Sequence, residues 1–212
     1  MIIIRMNSPN RRPLIFEIRS AFPNSKVNQM KKLAQGDDAL LFEKNNTVYR
    51  YTKTSSQEAA EREMDICREM AEAGLFPMKG MPEYDEETGL LQITMENMDG
   101  TFSDLKKKIE AKGGEEAEML YNELLGELKN NIRKMNNLGI CHGDLNKNPK
   151  NIMYKGSLEK GYKLYIIDFT TAKRNVKGCA NLNLNTNYYG FRRLQSRISN
   201  EKSLGSTVRS LF

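Results

Sequence analysis

The stretch "HGDLNKNPKN", residues 142–151, sets the only histidine of the chain two residues before Asp144 and follows that aspartate with Asn146, Asn148 and Asn151. A second aspartate, Asp168, ends the apolar run "KLYIID" 24 residues beyond the first. These are the residue types that phosphoryl transfer demands: one Asp to orient the attacking hydroxyl or accept its proton, and an Asn with a second Asp to hold metal ions against the phosphates. An oxygen-donor, histidine-poor set suits Mg2+ better than zinc. Each residue also has a plainer use, Asp144 in a turn and Asp168 as a cap on local backbone amides. The elements that carry them decide between the two.

Strand-favouring residues clustered between turn formers in "KKLAQGDDALLFEKNNTVYRYTK" predict three short strands, with turns at "QGDD" and "KNN", and so a small antiparallel sheet. "SSQEAAEREMDICREMAEAG" predicts a helix with Ser56 as N-cap and Gly74 as stop. Along it Ala59, Glu63, Ile66 and Met70 share one face, a charged side chain inside an apolar stripe. "GLLQITMENMDG" predicts a strand that runs into a connector, the natural boundary between two lobes. "TFSDLKKKIEA" predicts a polar helix capped by Thr101 or Ser103. Leu120, Leu124, Leu128, Ile132 and Met135 predict a longer helix closed by Gly139. After the loop at Asp144 come a strand "NIMYKG", a turn through "SLEKG" and a strand "YKLYIIDF" that delivers Asp168.

Residues 1–28 hold one acid, Glu17, and no helical or strand periodicity, and are read as a flexible leader. Residues 29–98 then form a first lobe and 99–212 a second that contains the Asp144 loop. At 212 residues, with 39% hydrophobic and 28% charged residues, the composition is that of a soluble globular protein. Its longest early apolar run, "MIII", is far short of a membrane span. Three cysteines, Cys67, Cys141 and Cys179, leave an odd thiol and no CxxC pair, arguing against a disulfide framework or zinc site and for a reducing compartment. Of the net charge of +6, the segment after Asp168 carries eight Lys or Arg against one acid, Glu201, which would attract a phosphate-bearing ligand or an acidic partner. No nucleic-acid module accompanies that charge, so neither nucleic acid nor membrane is expected as a partner, and a monomer is.

In this order of elements "HGDLNKNPKN" resembles the protein-kinase catalytic loop H-R-D-L-x-x-x-N, and "IIDFT" resembles the metal-binding D-F-G. The resemblance implies an α+β, minimal two-lobe protein-kinase-like fold with a small antiparallel N-lobe sheet and a truncated helical C-lobe. It implies ATP and Mg2+ as cofactors, Asp144 as catalytic base, and Asn151 and Asp168 as metal ligands, with His142 organising the loop rather than acting as a base. "QITMENMDGTFSDL" is similar to the family's fifth strand and hinge, making Met95 the gatekeeper and Glu96 to Met98 the segment that reads adenine. Glu63 becomes the partner of a phosphate-binding cation. For that cation Arg50 follows the small Val48 on one strand face, while Lys53 follows Tyr51 on the other; Arg50 is preferred and Lys53 stays open.

Departures accompany the match. The glycine-rich loop is reduced to Gly36, Asn151 stands seven residues after Asp144 where the pattern has five, and "DFT" lacks the glycine of D-F-G. Asn146 or Asn148 could therefore replace Asn151. The short chain resembles the minimal kinases that bacterial pathogens inject through type III secretion, above all the effector family that phosphorylates the host ninety-kilodalton heat-shock chaperone. It also resembles the small effector kinases activated by ubiquitin-loaded conjugating enzymes. This implies an effector secreted into the eukaryotic host cytoplasm, phosphorylating Ser or Thr of a host protein, with ubiquitin or a ubiquitin conjugate as a further partner. Two alternatives stand beside it. One is a small-molecule phosphotransferase like the aminoglycoside and choline kinases, which also carry H-G-D; the other is a kinase-fold module that binds a host protein.

Overall fold

A computed structural model of the chain describes residues 14–25, 27–35, 39–145 and 149–174. These divide between two compact units, Met1–Met64 with Met78–Asn97 and Asp65–Pro77 with Met98–Phe212. Gly36, Asn146 and Asn148 lie outside the described residues, as does the basic segment after Arg174.

The first unit is an antiparallel sheet of five strands, β1 (Lys31–Gln35), β2 (Ala39–Lys44), β3 (Thr47–Lys53), β4 (Glu83–Asp85) and β5 (Leu90–Glu96), ordered β1-β2-β3-β5-β4. Asn45 and Asn46, both at positive φ (51° and 58°), make the two-residue turn between β2 and β3, a backbone that Asn tolerates and that matches strand twist. The turn foreseen at "KNN" is this one. Pairing of β3 with β5 runs Val48 to Met95, Arg50 to Ile93 and Thr52 to Leu91. Alternation puts Tyr51 and Lys53 on the opposite face from Arg50.

That opposite face holds an apolar core of Ile18, Phe22, Val27, Leu40, Phe42, Tyr51 and Leu90. Phe22 and Tyr51 rings stand 5.5 Å apart, and Phe42 meets Tyr51 edge-on at 6.0 Å. Ile18 comes from helix α1 (Leu14–Ala21), which falls inside the segment read as a flexible leader. Its burial depends on the sheet it covers, so no long periodic run in its own residues announces it.

Helix α2 (Gln57–Glu72) begins where the Ser56 hydroxyl accepts from Ala59 N at 3.2 Å, as the N-cap reading expects. It stops at Gly74, whose φ of 71° lets Leu75 N reach back to Met70 O at 2.8 Å. Ala60, Glu63, Ile66, Cys67 and Met70 are its buried residues.

In the second unit β6 (Gly100–Thr101) leads into α3 (Phe102–Lys112), and α4 (Gly114–Asn137) follows. Thr101 and Asp104 form a reciprocal capping box on α3, choosing Thr101 over Ser103. The buried stripe of α4 is Tyr121, Leu124, Leu125, Leu128, Asn131, Ile132 and Met135. The remaining strands are β7 (Ile140–Cys141), β8 (Ile152–Ser157), β9 (Gly161–Ile166) and β10 (Lys173–Arg174), arranged as a β6-β8-β9 sheet and a β7-β10 ribbon. Two α4 side chains hold the Leu164 peptide of β9: Leu164 N donates to Glu127 Oε1 at 2.6 Å, and Asn131 Nδ2 donates to Leu164 O at 3.0 Å.

Cys67 is a buried free thiol and Cys141 is disulfide-bonded, a bond that the argument against a disulfide framework did not foresee. An odd count excludes full pairing but not a single bond. Among the described residues no helix is long and apolar enough to cross a membrane.

Candidate active site

In the second unit the chain leaves α4 through Leu138 and Gly139 and enters β7, after which His142, Gly143 and Asp144 form the loop before β8. His142 is fully buried. Its Nε2 lies 2.9 Å from Ile167 O, and Asp144 N donates to its Nδ1 at 3.4 Å. Burial drives the imidazole below its usual pKa, against the opposing pull of the Ile167 carbonyl and the charges of Asp168 and Asp144. A neutral, buried ring bonded on both sides is an organiser of backbone. Asp144 reaches one ring nitrogen through its amide and the carbonyl preceding Asp168 reaches the other, so the fold brings the two ends of the motif together around the ring.

Asn151, only 4% exposed, donates from Nδ2 to Asp144 Oδ2 at 3.4 Å. Its carbonyl accepts from Ile167 N at 2.9 Å, tying the base of β8 to the approach of Asp168. The extra two residues between Asp144 and Asn151 therefore do not carry Asn151 away from the aspartate.

Asp168 departs from the sequence reading. Strand β9 ends at Ile166, and Asp168 stands two residues beyond it with φ 65°, in the left-handed region. A non-glycine residue there costs on the order of 1–3 kcal/mol and persists only where its surroundings impose it. The surroundings are specific. Phe169 is buried, its ring 5.4 Å from that of His142 and 5.6 Å from that of Phe76. Thr170 Oγ1 donates to Asp168 Oδ1 at 2.7 Å. Thr171 Oγ1 donates to His142 O at 2.9 Å. Lys173 and Arg174 then pair with Cys141 and Ile140, and Arg174 Nη1 reaches Glu69 Oε1 of α2 at 2.6 Å.

Among the described residues no group of three or more His, Cys, Asp or Glu side chains is placed to hold a metal ion. The donors here are the Asp168 carboxylate and the Asn151 amide oxygen. One or two protein oxygens, completed by phosphate and water, is how a small hard cation such as Mg2+ is held beside a nucleotide, so this set fits a divalent metal.

In the first unit Arg50 Nη1 donates to Glu63 Oε1 at 2.8 Å, both side chains buried. Lys53 is exposed on the other strand face, where it bonds Glu17 Oε2 at 3.0 Å and the Thr88 carbonyl. Arg50 is thus the β3 cation that meets Glu63. Met95 is buried on β5 beside Met78, and Glu96 closes the strand. Asn97 N donates to Asn46 O at 3.1 Å and its side chain to Glu43 at 2.7 Å; Met98, half-buried, is the first residue of the second unit after the connector.

Sequence reasoning missed Thr170, Thr171, Glu69 and Arg174. The adjacent threonines after "DF" are the one signal that could have pointed to hydroxyl contacts.

Residues 8–201 match the model of a family described as lipopolysaccharide kinase (Kdo/WaaP). Among solved structures, that of WaaP in complex with acyl carrier protein is similar, with a TM-score of 0.55 at 14% sequence identity over 85% of this chain and 76% of that one. At that identity it shows the shared fold, which is kinase-like. A comparison with curated proteins finds no match.

Proposed function

We propose, since the chain belongs to the lipopolysaccharide kinase (Kdo/WaaP) family, that it transfers a phosphoryl group from ATP to a sugar hydroxyl of a lipopolysaccharide-type acceptor. Membership makes the protein a kinase that uses ATP and a divalent metal. Mg2+ as that metal and the sugar acceptor are our reading. The observation that carries it is the meeting of Asp144, Asn151 and Asp168 around the buried His142.

In this reading Asp144 accepts the proton of the acceptor hydroxyl, held in place by His142 through its backbone amide and by Asn151 through its carboxylate. Asp168 and Asn151 hold the divalent metal, which when bound neutralises charge on the phosphates. Arg50, held by Glu63, presents its guanidinium fork to a phosphate. His142 stays neutral and fixes the loop.

The expectation of a secreted effector acting on a host chaperone, with ubiquitin or a ubiquitin conjugate as a further partner, has no support in the family or the structural match. The small-molecule phosphotransferase, carried above as the alternative, is the reading the family favours. Offering γ-labelled ATP to the purified protein with lipopolysaccharide and a eukaryotic protein lysate in one reaction separates them. Label in the lipopolysaccharide fraction supports the sugar acceptor. Label confined to protein overturns it.

A further inference from the structure

The residue after Asp168-Phe169 is a threonine where D-F-G has glycine, and a second threonine follows. Both hydroxyls are engaged, in different directions. Thr170 Oγ1 donates to Asp168 Oδ1 at 2.7 Å, and Thr171 Oγ1 donates to His142 O at 2.9 Å. Thr170 is exposed, so its bond is not forced by packing. Thr171 sits against Gly143: a Cβ at Gly143, where φ is 82°, would fall 2.9 Å from Thr171 O and 3.1 Å from Thr171 Oγ1. The absence of a side chain beside Asp144 is what admits Thr171. Ala172 N closes the turn on Phe169 O at 2.9 Å, and the pairing of β10 with β7 follows at once.

We propose that Thr170 and Thr171 are the positioning residues of this site, each setting one aspartate. Thr170 sets the direction of the Asp168 carboxylate. The backbone of Asp168 is already in the left-handed region, and a donor two residues on fixes the remaining freedom of its side chain. A carboxylate that ligates a metal is in turn oriented by the groups that hydrogen-bond to it, and loss of such a partner typically costs about 10–100-fold in metal affinity. Thr171 sets the His142–Asp144 backbone, because its bond falls on the carbonyl next to Gly143. The first threonine thus acts on metal binding and the second on the proton-accepting step. This rests on the phosphotransferase reading but not on which acceptor is used.

The experiment compares Thr170→Val, Thr170→Ser, Thr171→Val and Thr171→Ser with wild type, each checked for a cooperative thermal transition. Binding of Mn2+ in the presence of ADP is followed by calorimetry, with no acceptor present. Thr170→Val should weaken Mn2+ binding by about 10–100-fold while Thr170→Ser restores it. Thr171→Val should leave Mn2+ binding as in wild type but lower kcat at saturating metal and ATP, with Thr171→Ser again restoring the rate. Should Thr170→Val lack a folded transition, Thr170→Ala replaces it in the same titration. Wild-type Mn2+ affinity in folded Thr170→Val or Thr170→Ala would overturn the proposal, as would wild-type kcat in Thr171→Val or a Ser variant as deficient as its Val counterpart. Failure of lipopolysaccharide to accept phosphate would leave the calorimetric result untouched.

Discussion

Arg50 Nη1 lies 2.8 Å from Glu63 Oε1, with the two side chains only 9% and 5% exposed. Removing one partner of such a pair strands a buried charge, at a cost of about 3–5 kcal/mol. Glu63→Ala and Arg50→Ala should both lower the denaturation midpoint accordingly, and Arg50→Ala should also raise KM for ATP. Lys53, paired with Glu17 at side-chain exposures of 39% and 28%, is worth at most about 1 kcal/mol and should leave KM unchanged in Lys53→Ala. Equal effects of Arg50→Ala and Lys53→Ala on KM would show that strand alternation does not choose the phosphate cation.

Asp144 and Asp168 should fail in different ways. If Asp144 is the proton acceptor, as proposed, Asp144→Asn should cost at least about 10²-fold in kcat, with nucleotide binding retained. If Asp168 ligates the metal, as proposed, Asp168→Ala should abolish metal-dependent nucleotide binding while the fold stays intact. Parallel turnover and calorimetry measurements decide this, and loss of nucleotide binding in Asp144→Asn would make that residue structural.

Gly143 stands where many kinases place an arginine that receives an activating phosphate, and it has no side chain to do so. Treatment of the purified protein with phosphatase should therefore leave its initial rate unchanged. Gly143→Ala should cost about 1–2 kcal/mol for the left-handed backbone alone, and more as the new Cβ displaces Thr171. A rate restored only by an upstream kinase would refute this account of control.

Glu127 gives a pH signature. Burial raises its carboxyl pKa above the usual value, with the Leu164 amide opposing. A folded-state pKa above the unfolded one gives stability that is fully present below the unfolded value and lost as pH rises through the folded one. Glu127→Gln keeps an oxygen for Leu164 N without the charge. Its stability should fall less than wild type between pH 4 and neutral, by chemical denaturation at each pH. Identical slopes for the two proteins would show that Glu127 does not titrate differently on folding.

Features written in local residue types were legible. The Asn45–Asn46 turn, the α2 cap at Ser56 and the separation of Arg50 from Lys53 follow from turn chemistry and from the two-residue period of a strand. The Asp-Asn-Asp pattern was legible because its residue types match one chemistry. What lay beyond reach came from contacts distant in sequence. The left-handed Asp168 follows Ile167, whose N meets Asn151 O at the base of β8, and α1 is held by β-sheet side chains far along the chain. The two-residue pairing of β7 with β10 is too short to leave a pattern. Acceptor identity was not legible in a short catalytic loop that protein and small-molecule kinases share, since a common site fixes reaction class and not substrate.

The measurement that tests the central claim most directly is mass spectrometry of lipopolysaccharide after incubation with the purified protein, ATP and Mg2+, with Asp168→Ala as the paired control. The account predicts the gain of one phosphate on a sugar hydroxyl with wild type and none with Asp168→Ala. Unchanged lipopolysaccharide alongside phosphate on a protein acceptor, or equal phosphorylation by Asp168→Ala, would contradict it.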